Sequence, residues 1–127
     1  MTVYVLDASA LIAVIKGERG AGLVESRIPG AFMSSVNASE TIMRSVEFGY
    51  EEKLVTRLIS ALKTDLVPFD ADLAVAAARL RRATRHRVLS FADRACLATA
   101  IRLGATAVTA DRAWADLDLP CPVELIR

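Results

Sequence analysis

Four acidic residues of this chain have the types and positions that could hold a divalent cation. Asp7 ends one apolar run and Asp111 follows another, while Glu40 and Asp93 fall near the starts of predicted helices. Several carboxylates at close quarters repel one another, and Mg²⁺ or Mn²⁺ relieves that cost because both ions prefer oxygen ligands. With no histidine or cysteine in the set, the pattern favours magnesium or manganese over zinc.

Each of these acids also has a simpler explanation as a helix cap. Negative side chains near a helix start are stabilised by about 0.3–1 kcal/mol each through the helix dipole. The stretches 37–40 and 90–93 both resemble capping boxes, and Asp7 and Asp111 fit as N-caps. A cap needs only a short polar side chain, however, so acids at every one of these turns favour a shared site.

The elements expected to position these acids alternate short apolar strands with helices. Strands are predicted over 3–6, 31–34, 66–67, 105–109 and 123–126, and helices over 8–16, 20–27, 37–48, 51–63, 72–85, 91–103 and 112–115. This order predicts an α/β fold with a central parallel sheet of about four to five short strands flanked by helices. Ligands of such sheets bind beyond the carboxyl ends of the strands, where Asp7 and Asp111 are expected to face one crevice.

The composition predicts one globular domain over residues 1–127, because 54% of the residues are hydrophobic and 24% are charged, with no linker or repeat. The net charge is only +1, so any affinity for nucleic acid must come from local clusters of basic residues. Two cysteines without a metal-like spacing, no basic leader and no long apolar run predict a cytoplasmic protein that does not enter a membrane.

The segments around the four acids carry a resemblance to a known family. They read Val5-Leu6-Asp7-Ala8-Ser9-Ala10-Leu11, Ser35-Val36-Asn37-Ala38-Ser39-Glu40, Leu89-Ser90-Phe91-Ala92-Asp93-Arg94-Ala95-Cys96-Leu97-Ala98 and Val108-Thr109-Ala110-Asp111-Arg112-Ala113-Trp114. In this order and at these spacings, over nearly the whole chain, the sequence resembles the PIN-domain nucleases and, within them, the VapC-type toxins of bacterial toxin–antitoxin pairs. The segment before Asp93 lacks the glycine that the family often has there, which leaves the shape of this loop open but not the acid.

The resemblance implies a site, a reaction and partners. The implied catalytic and metal-binding residues are Asp7, Glu40, Asp93 and Asp111, with Ser9 and Thr109 as supporting groups near the metal. The implied activity is a Mg²⁺- or Mn²⁺-dependent endoribonuclease that leaves a 5′-phosphate and a 3′-hydroxyl. The implied partners are an RNA substrate, a cognate VapB-type antitoxin and a second copy of the chain. The RNA target, the number of ions and the identity of the antitoxin stay open.

Contact with RNA requires positive charge near the acids. Arg94 and Arg112 each follow a proposed metal ligand, and Arg44 lies one helical turn beyond Glu40, so these three arginines are predicted to hold phosphates. The basic run 79–87 is explained better as a solvated helix end than as an RNA contact, because cations suit that terminus of a helix.

Two other classes of protein compete with the nuclease interpretation. A non-catalytic module could keep the PIN fold and bind no metal. A phosphoryl-accepting receiver domain would need adjacent acids after the first strand and a lysine at a late strand end, whereas Lys16, Lys53 and Lys63 all fall in predicted helices. The single histidine, His86, excludes a ribonuclease mechanism with paired histidines and weakens a Ser-His-Asp hydrolase.

Overall fold

A five-stranded parallel sheet forms the centre of the protein in a computed structural model that describes residues 1–127. Its strands are β1 (Tyr4–Leu6), β2 (Phe32–Ser34), β3 (Asp65–Val67), β4 (Thr106–Thr109) and β5 (Val123–Leu125). The helices are α1 (Ala8–Lys16), α2 (Ala21–Arg27), α3 (Ser35–Glu47), α4 (Glu52–Ala61), α5 (Ala71–Ala83) and α6 (Phe91–Leu103), with a 3₁₀ helix at Arg112–Asp116. The predicted α/β class and parallel sheet are therefore confirmed.

The strand order β3-β2-β1-β4-β5 places the topological switch point between β1 and β4. The register pairs Leu6 of β1 with Val108 of β4. The backbone N–H of Asp7 then donates to the carbonyl of Val108 at 2.9 Å. The next residues of both strands, Asp7 and Thr109, consequently emerge side by side at the carboxyl edge of the sheet.

Helices cover both faces of the sheet, as the alternation of side chains along the strands requires. Val5 and Ala107 belong to one buried apolar cluster, which includes residues of α5 and α6. Leu6 and Val108 belong to the other, which includes residues of α1 to α4. No helix of the chain combines the length and the apolar character needed to cross a membrane.

The two predicted capping boxes have opposite outcomes. At the start of α6, Ser90 Oγ accepts from the N–H of Asp93 at 3.1 Å, and Asp93 Oδ2 accepts from the N–H of Ser90 at 2.9 Å, so this box is confirmed. The box predicted over 37–40 is wrong, because α3 begins two residues earlier than expected with the Ser34 hydroxyl as its cap. Asn37 and Glu40 therefore lie inside the helix, where their side chains are free for other contacts.

Candidate active site

A small cavity of about 220 Å³ opens at the carboxyl edge of the sheet beside the switch point. Its lining residues are Asp7, Ser9, Glu40, Arg44, Asp93, Ala110 and Asp111. The acids come from the end of β1, from α3, from the first turn of α6 and from the residue that precedes the 3₁₀ helix. The structure thus brings all four predicted acids to one place from separate stretches of the chain.

Asp7 is the most deeply buried of these acids, with only 4% of its surface exposed. Its Oδ2 accepts hydrogen bonds from the hydroxyls of Ser9 at 2.6 Å and Thr109 at 2.9 Å. Burial raises the pKa of Asp7, and these two hydroxyl donors partly offset that rise. Its carboxylate makes no cap hydrogen bond to α1, although Asp7 occupies the N-cap position. Ser9 and Thr109 therefore support the charged form of Asp7.

Asp93 and Asp111 each use one carboxylate oxygen to accept a hydrogen bond from a backbone N–H at a helix start. Asp93 Oδ2 accepts from the N–H of Ser90, and Asp111 Oδ1 accepts from the N–H of Ala113 at 3.0 Å. The second oxygen of each carboxylate accepts no hydrogen bond from the protein. A cap and a metal ligand are therefore compatible roles for the same side chain, and the two sequence interpretations do not exclude each other.

The negative charge of the cavity is poorly compensated. Burial raises the pKa of Glu40, and the nearby charges of Asp7 and Asp93 raise it further. Burial also raises the pKa of Asp93, with Asp111 adding to the rise. Arg44 is the one basic residue that lines the cavity, and it lowers the pKa of both Glu40 and Asp93. A bound cation would relieve the remaining repulsion.

The donor set of the cavity suits a hydrated Mg²⁺ or Mn²⁺. No three His, Cys, Asp or Glu side chains converge closely enough to form a ready-made ligand group. Magnesium does not need such a group, because it usually keeps several waters and is held by one or two carboxylates. The carboxylate oxygens left without protein donors fit that requirement, whereas the closed nitrogen and sulfur shell of a structural zinc site is absent.

Asn37 contacts the site although the sequence interpretation assigned it only a capping role. Its side chain is fully buried, and Nδ2 donates to the carbonyl of Ala92 at 3.1 Å and to Asp7 Oδ1 at 3.4 Å. Its Oδ1 has no hydrogen-bond partner. The spacing of three residues between Asn37 and Glu40, which places both on one helix face, was the available signal.

The three arginines predicted to bind RNA have different surroundings. Arg44 lines the acid cavity. Arg94 instead donates from Nη1 to the carbonyl of Ala77 in α5 at 3.2 Å, and Arg112 donates to the carbonyl of Arg127 at 2.9 Å. Neither Arg94 nor Arg112 lines the cavity, so the structure places only Arg44 where a phosphate at the acids would meet it.

Solved structures share this fold at low sequence identity. A toxin–antitoxin complex from Klebsiella pneumoniae contains a chain with 20% identity and a TM-score of 0.79, and the match covers 98% of both chains. VapC20 from Mycobacterium tuberculosis, described as a sarcin-ricin loop cleaving toxin, has 18% identity and a TM-score of 0.77 over 91% of this chain and 95% of that one. FitAcB from Neisseria gonorrhoeae has 17% identity and a TM-score of 0.75 over 97% of each chain.

The family model described as the PIN domain matches residues 4–119. This span contains both strands at the switch point and all four acids of the cavity. No curated protein sequence matches the chain. The family model covers most of the chain and agrees with the fold shared by the solved structures, so this chain belongs to the PIN-domain family.

Proposed function

We propose that this chain is a Mg²⁺- or Mn²⁺-dependent endoribonuclease that acts as the toxin of a VapBC-type toxin–antitoxin pair. The observation that carries this proposal is the shared cavity of the four acids, in which burial and mutual repulsion raise the pKa of Asp7, Glu40 and Asp93. The fold shared with VapC20, a toxin described by its cleavage of the sarcin-ricin loop, supports the choice of RNA as substrate.

Each acid of the cavity has its own role in the proposed reaction. A divalent cation bound here would activate a water molecule and neutralise the charge that develops on the phosphoryl oxygens. Asp7 and Asp111 would hold the cation, since they lie just beyond the two strands at the switch point. Asp93 would offer its free oxygen to the same ion or to a second one. Glu40 would bind the cation through a water or help take the proton from the attacking water, because it lines the same cavity.

Uncharged and basic side chains orient these acids and the substrate. Ser9 and Thr109 fix one oxygen of Asp7, and Asn37 donates to the other. This arrangement holds the carboxylate in a defined orientation before the cation and substrate arrive. Arg44, the cationic member of the cavity lining, is positioned to bind a phosphate oxygen of the RNA.

Cleavage of total cellular RNA in the presence of Mg²⁺ or Mn²⁺ tests this function. The wild type should produce new ends with a 5′-phosphate and a 3′-hydroxyl, and Asp7→Asn should produce none. Asp118→Asn is the matched control, because Asp118 is an exposed acid outside the cavity and its loss should change nothing. Full cleavage by Asp7→Asn, or equal cleavage by the wild type in EDTA, would refute the assignment.

Binding of Mn²⁺ separates the enzyme from an inert PIN module. Calorimetric titration should detect Mn²⁺ bound by the wild type and not by Asp7→Asn. A wild type that binds no Mn²⁺ and cleaves no RNA would establish the non-catalytic alternative instead.

Exposed apolar side chains on α3, α4 and the turn between them support an antitoxin partner. They are Met43, Val46, Phe48, Tyr50 and Leu54. Exposed apolar patches of this kind mark protein interaction sites, and an amphipathic segment of an antitoxin would cover one. The solved neighbours include toxin–antitoxin complexes, which agrees with this partner. The implied homodimer is tested by size-exclusion chromatography, where a strict monomer would contradict it.

A further inference from the structure

An open cleft of about 1090 Å³ lies outside the acid cavity, at the C-terminal end of α5 and the loop that follows. Five arginines line it, and no acidic residue does. They are Arg79, Arg81, Arg82, Arg85 and Arg87, and all five are exposed. We call this surface the arginine cleft.

The positive charge of the arginine cleft is largely uncompensated within the protein. Arg87 pairs with Asp116, and the other four arginines make no salt bridge. The helix dipole accounts for Arg81 and Arg82, which lie in the last turn of α5. It does not account for Arg79, which lies one turn farther from the helix end. Like charges gathered without a partner in the fold point to a partner outside it.

The helix geometry presents two of these arginines to solvent as a row. Arg79 and Arg82 are three residues apart on α5, and Arg85 lies in the turn that follows the helix. Residues at this spacing lie on one face of a helix. The opposite face of α5 buries Leu73, Ala77 and Leu80 in the core, so the row faces away from it. Guanidinium groups bind phosphate with two parallel hydrogen bonds, which suits a chain of phosphates.

Without a bound cation, the acid cavity offers little attraction for RNA. Four acids and one arginine line it, and the net charge of the whole chain is +1, so both the site and the average surface give little attraction for a polyanion. The binding energy must come from a local basic surface. Arg87 brings the arginine cleft into the neighbourhood of the cavity, because its partner Asp116 ends the 3₁₀ helix whose N-cap is Asp111, and the pKa of Arg87 is raised by Asp116 and further by the charge of Asp111.

We propose that the arginine cleft binds the phosphate backbone of the RNA on one side of the bond that is cleaved. This inference rests on the proposed ribonuclease function and adds a second binding surface to it. The backbone contacts hold the RNA while the acid cavity performs the reaction, so the cleft sets affinity without choosing the sequence.

Fluorescence anisotropy with a labelled single-stranded RNA oligonucleotide tests the cleft. The Asp7→Asn protein in EDTA serves as the parent, so that no cleavage occurs. A variant that adds Arg79→Gln, Arg82→Gln and Arg85→Gln should bind RNA at least tenfold more weakly at moderate salt. The slope of log affinity against log salt should become shallower by about 2, because each lost contact with a single strand removes about 0.7.

A second charge-matched variant is the control. Lys53→Gln, Arg57→Gln and Lys63→Gln remove the same charge from exposed positions on and after α4, away from the arginine cleft. This variant should keep the affinity and the salt slope of its parent. Thermal unfolding checks that both variants fold, which their exposed positions favour.

The outcomes separate the cleft from the proposed function. Equal salt slopes in the two triple variants would overturn the cleft proposal, even if the wild type cleaves RNA. Polyglutamate that competes with RNA as effectively as unlabelled RNA, with the same dependence on the arginines, would assign the surface to an acidic protein and overturn it as well. A wild type that binds RNA through the cleft but cleaves none with Mn²⁺ would refute the proposed function alone.

Discussion

Thr109→Val tests how strongly the protein stabilises the buried charge of Asp7. The Thr109 side chain is fully buried, and its hydroxyl donates to Asp7 Oδ2 at 2.9 Å while accepting from the N–H of Asp111 at 3.0 Å. Valine has nearly the same shape as threonine, so the change removes the hydroxyl without opening a cavity.

The expected cost follows from the charge on the acceptor. A hydrogen bond to a charged group contributes about 1.5–3 kcal/mol, whereas one between neutral groups contributes about 1 kcal/mol. Asp111 is an exposed residue and its hydrogen bond to Thr109 is only partly buried, so water can replace the lost acceptor. We therefore expect Thr109→Val to lower the free energy of unfolding by about 2–3 kcal/mol when Asp7 is ionised and by about 1 kcal/mol when it is protonated.

The sign of the pH dependence is fixed by the pKa of Asp7. Burial already raises that pKa in the folded state, and removing a donor raises it further. The extra cost of the variant should consequently grow as pH rises through the folded pKa. Urea denaturation of both proteins in metal-free buffers from about pH 4 to about pH 8 measures this difference.

Thr99→Val is the matched control for this experiment. Thr99 is also fully buried, but its hydroxyl donates to the neutral carbonyl of Ala95 at 2.8 Å. Its replacement should cost about 1 kcal/mol at every pH. If Thr109→Val shows the same pH-independent cost as Thr99→Val, the Thr109 hydroxyl does not stabilise a charged Asp7.

Three further predictions concern the acids, Asn37 and Arg94. In EDTA, the free energy of unfolding should fall as pH rises through the raised folded pKa values of the cavity acids, and added Mn²⁺ should reverse this fall. A melting temperature that changes neither with pH nor with Mn²⁺ would contradict this prediction. Asn37→Ala should cost about 2 kcal/mol and weaken Mn²⁺ binding in calorimetry, because the Ala92 carbonyl and Asp7 lose a donor; unchanged Mn²⁺ affinity would limit Asn37 to a structural role. Arg94→Gln should lower the melting temperature, because the contact with the Ala77 carbonyl is lost, and should leave the salt slope of RNA binding unchanged. A shallower slope would show that Arg94 contacts RNA.

Local sequence signals predicted the bounds of those elements whose end is determined by a single residue. Helix α1 runs from Ala8 to Lys16 as predicted, because Gly17 adopts a left-handed φ of 66° that ends it. The start of α3 was mispredicted because Ser34 and Asn37 are both good caps. The choice between them depends on the contacts of Asn37 with Asp7 and Ala92, which lie far away in sequence.

The candidate site could be predicted from the sequence because the topology of the strands determines where acids at their ends lie. Parallel strands end at one edge of the sheet, so acids at those ends converge whatever their side-chain conformations are. Long basic side chains follow no such rule. The packing of two helices directs Arg94 to the carbonyl of Ala77 in α5, and Arg112 donates to the carbonyl of Arg127. The spacing of residues along the sequence predicts neither contact.

Because the acid cavity draws on stretches from Asp7 to Asp111, no fragment that lacks either of these residues contains all four carboxylates. Truncation within this span would therefore remove part of the site along with part of the sheet. If the proposed activity is correct, a chain interrupted before Asp111 would be inactive rather than partly active. The antitoxin of the proposed pair would then need to control only molecules that contain all four acids.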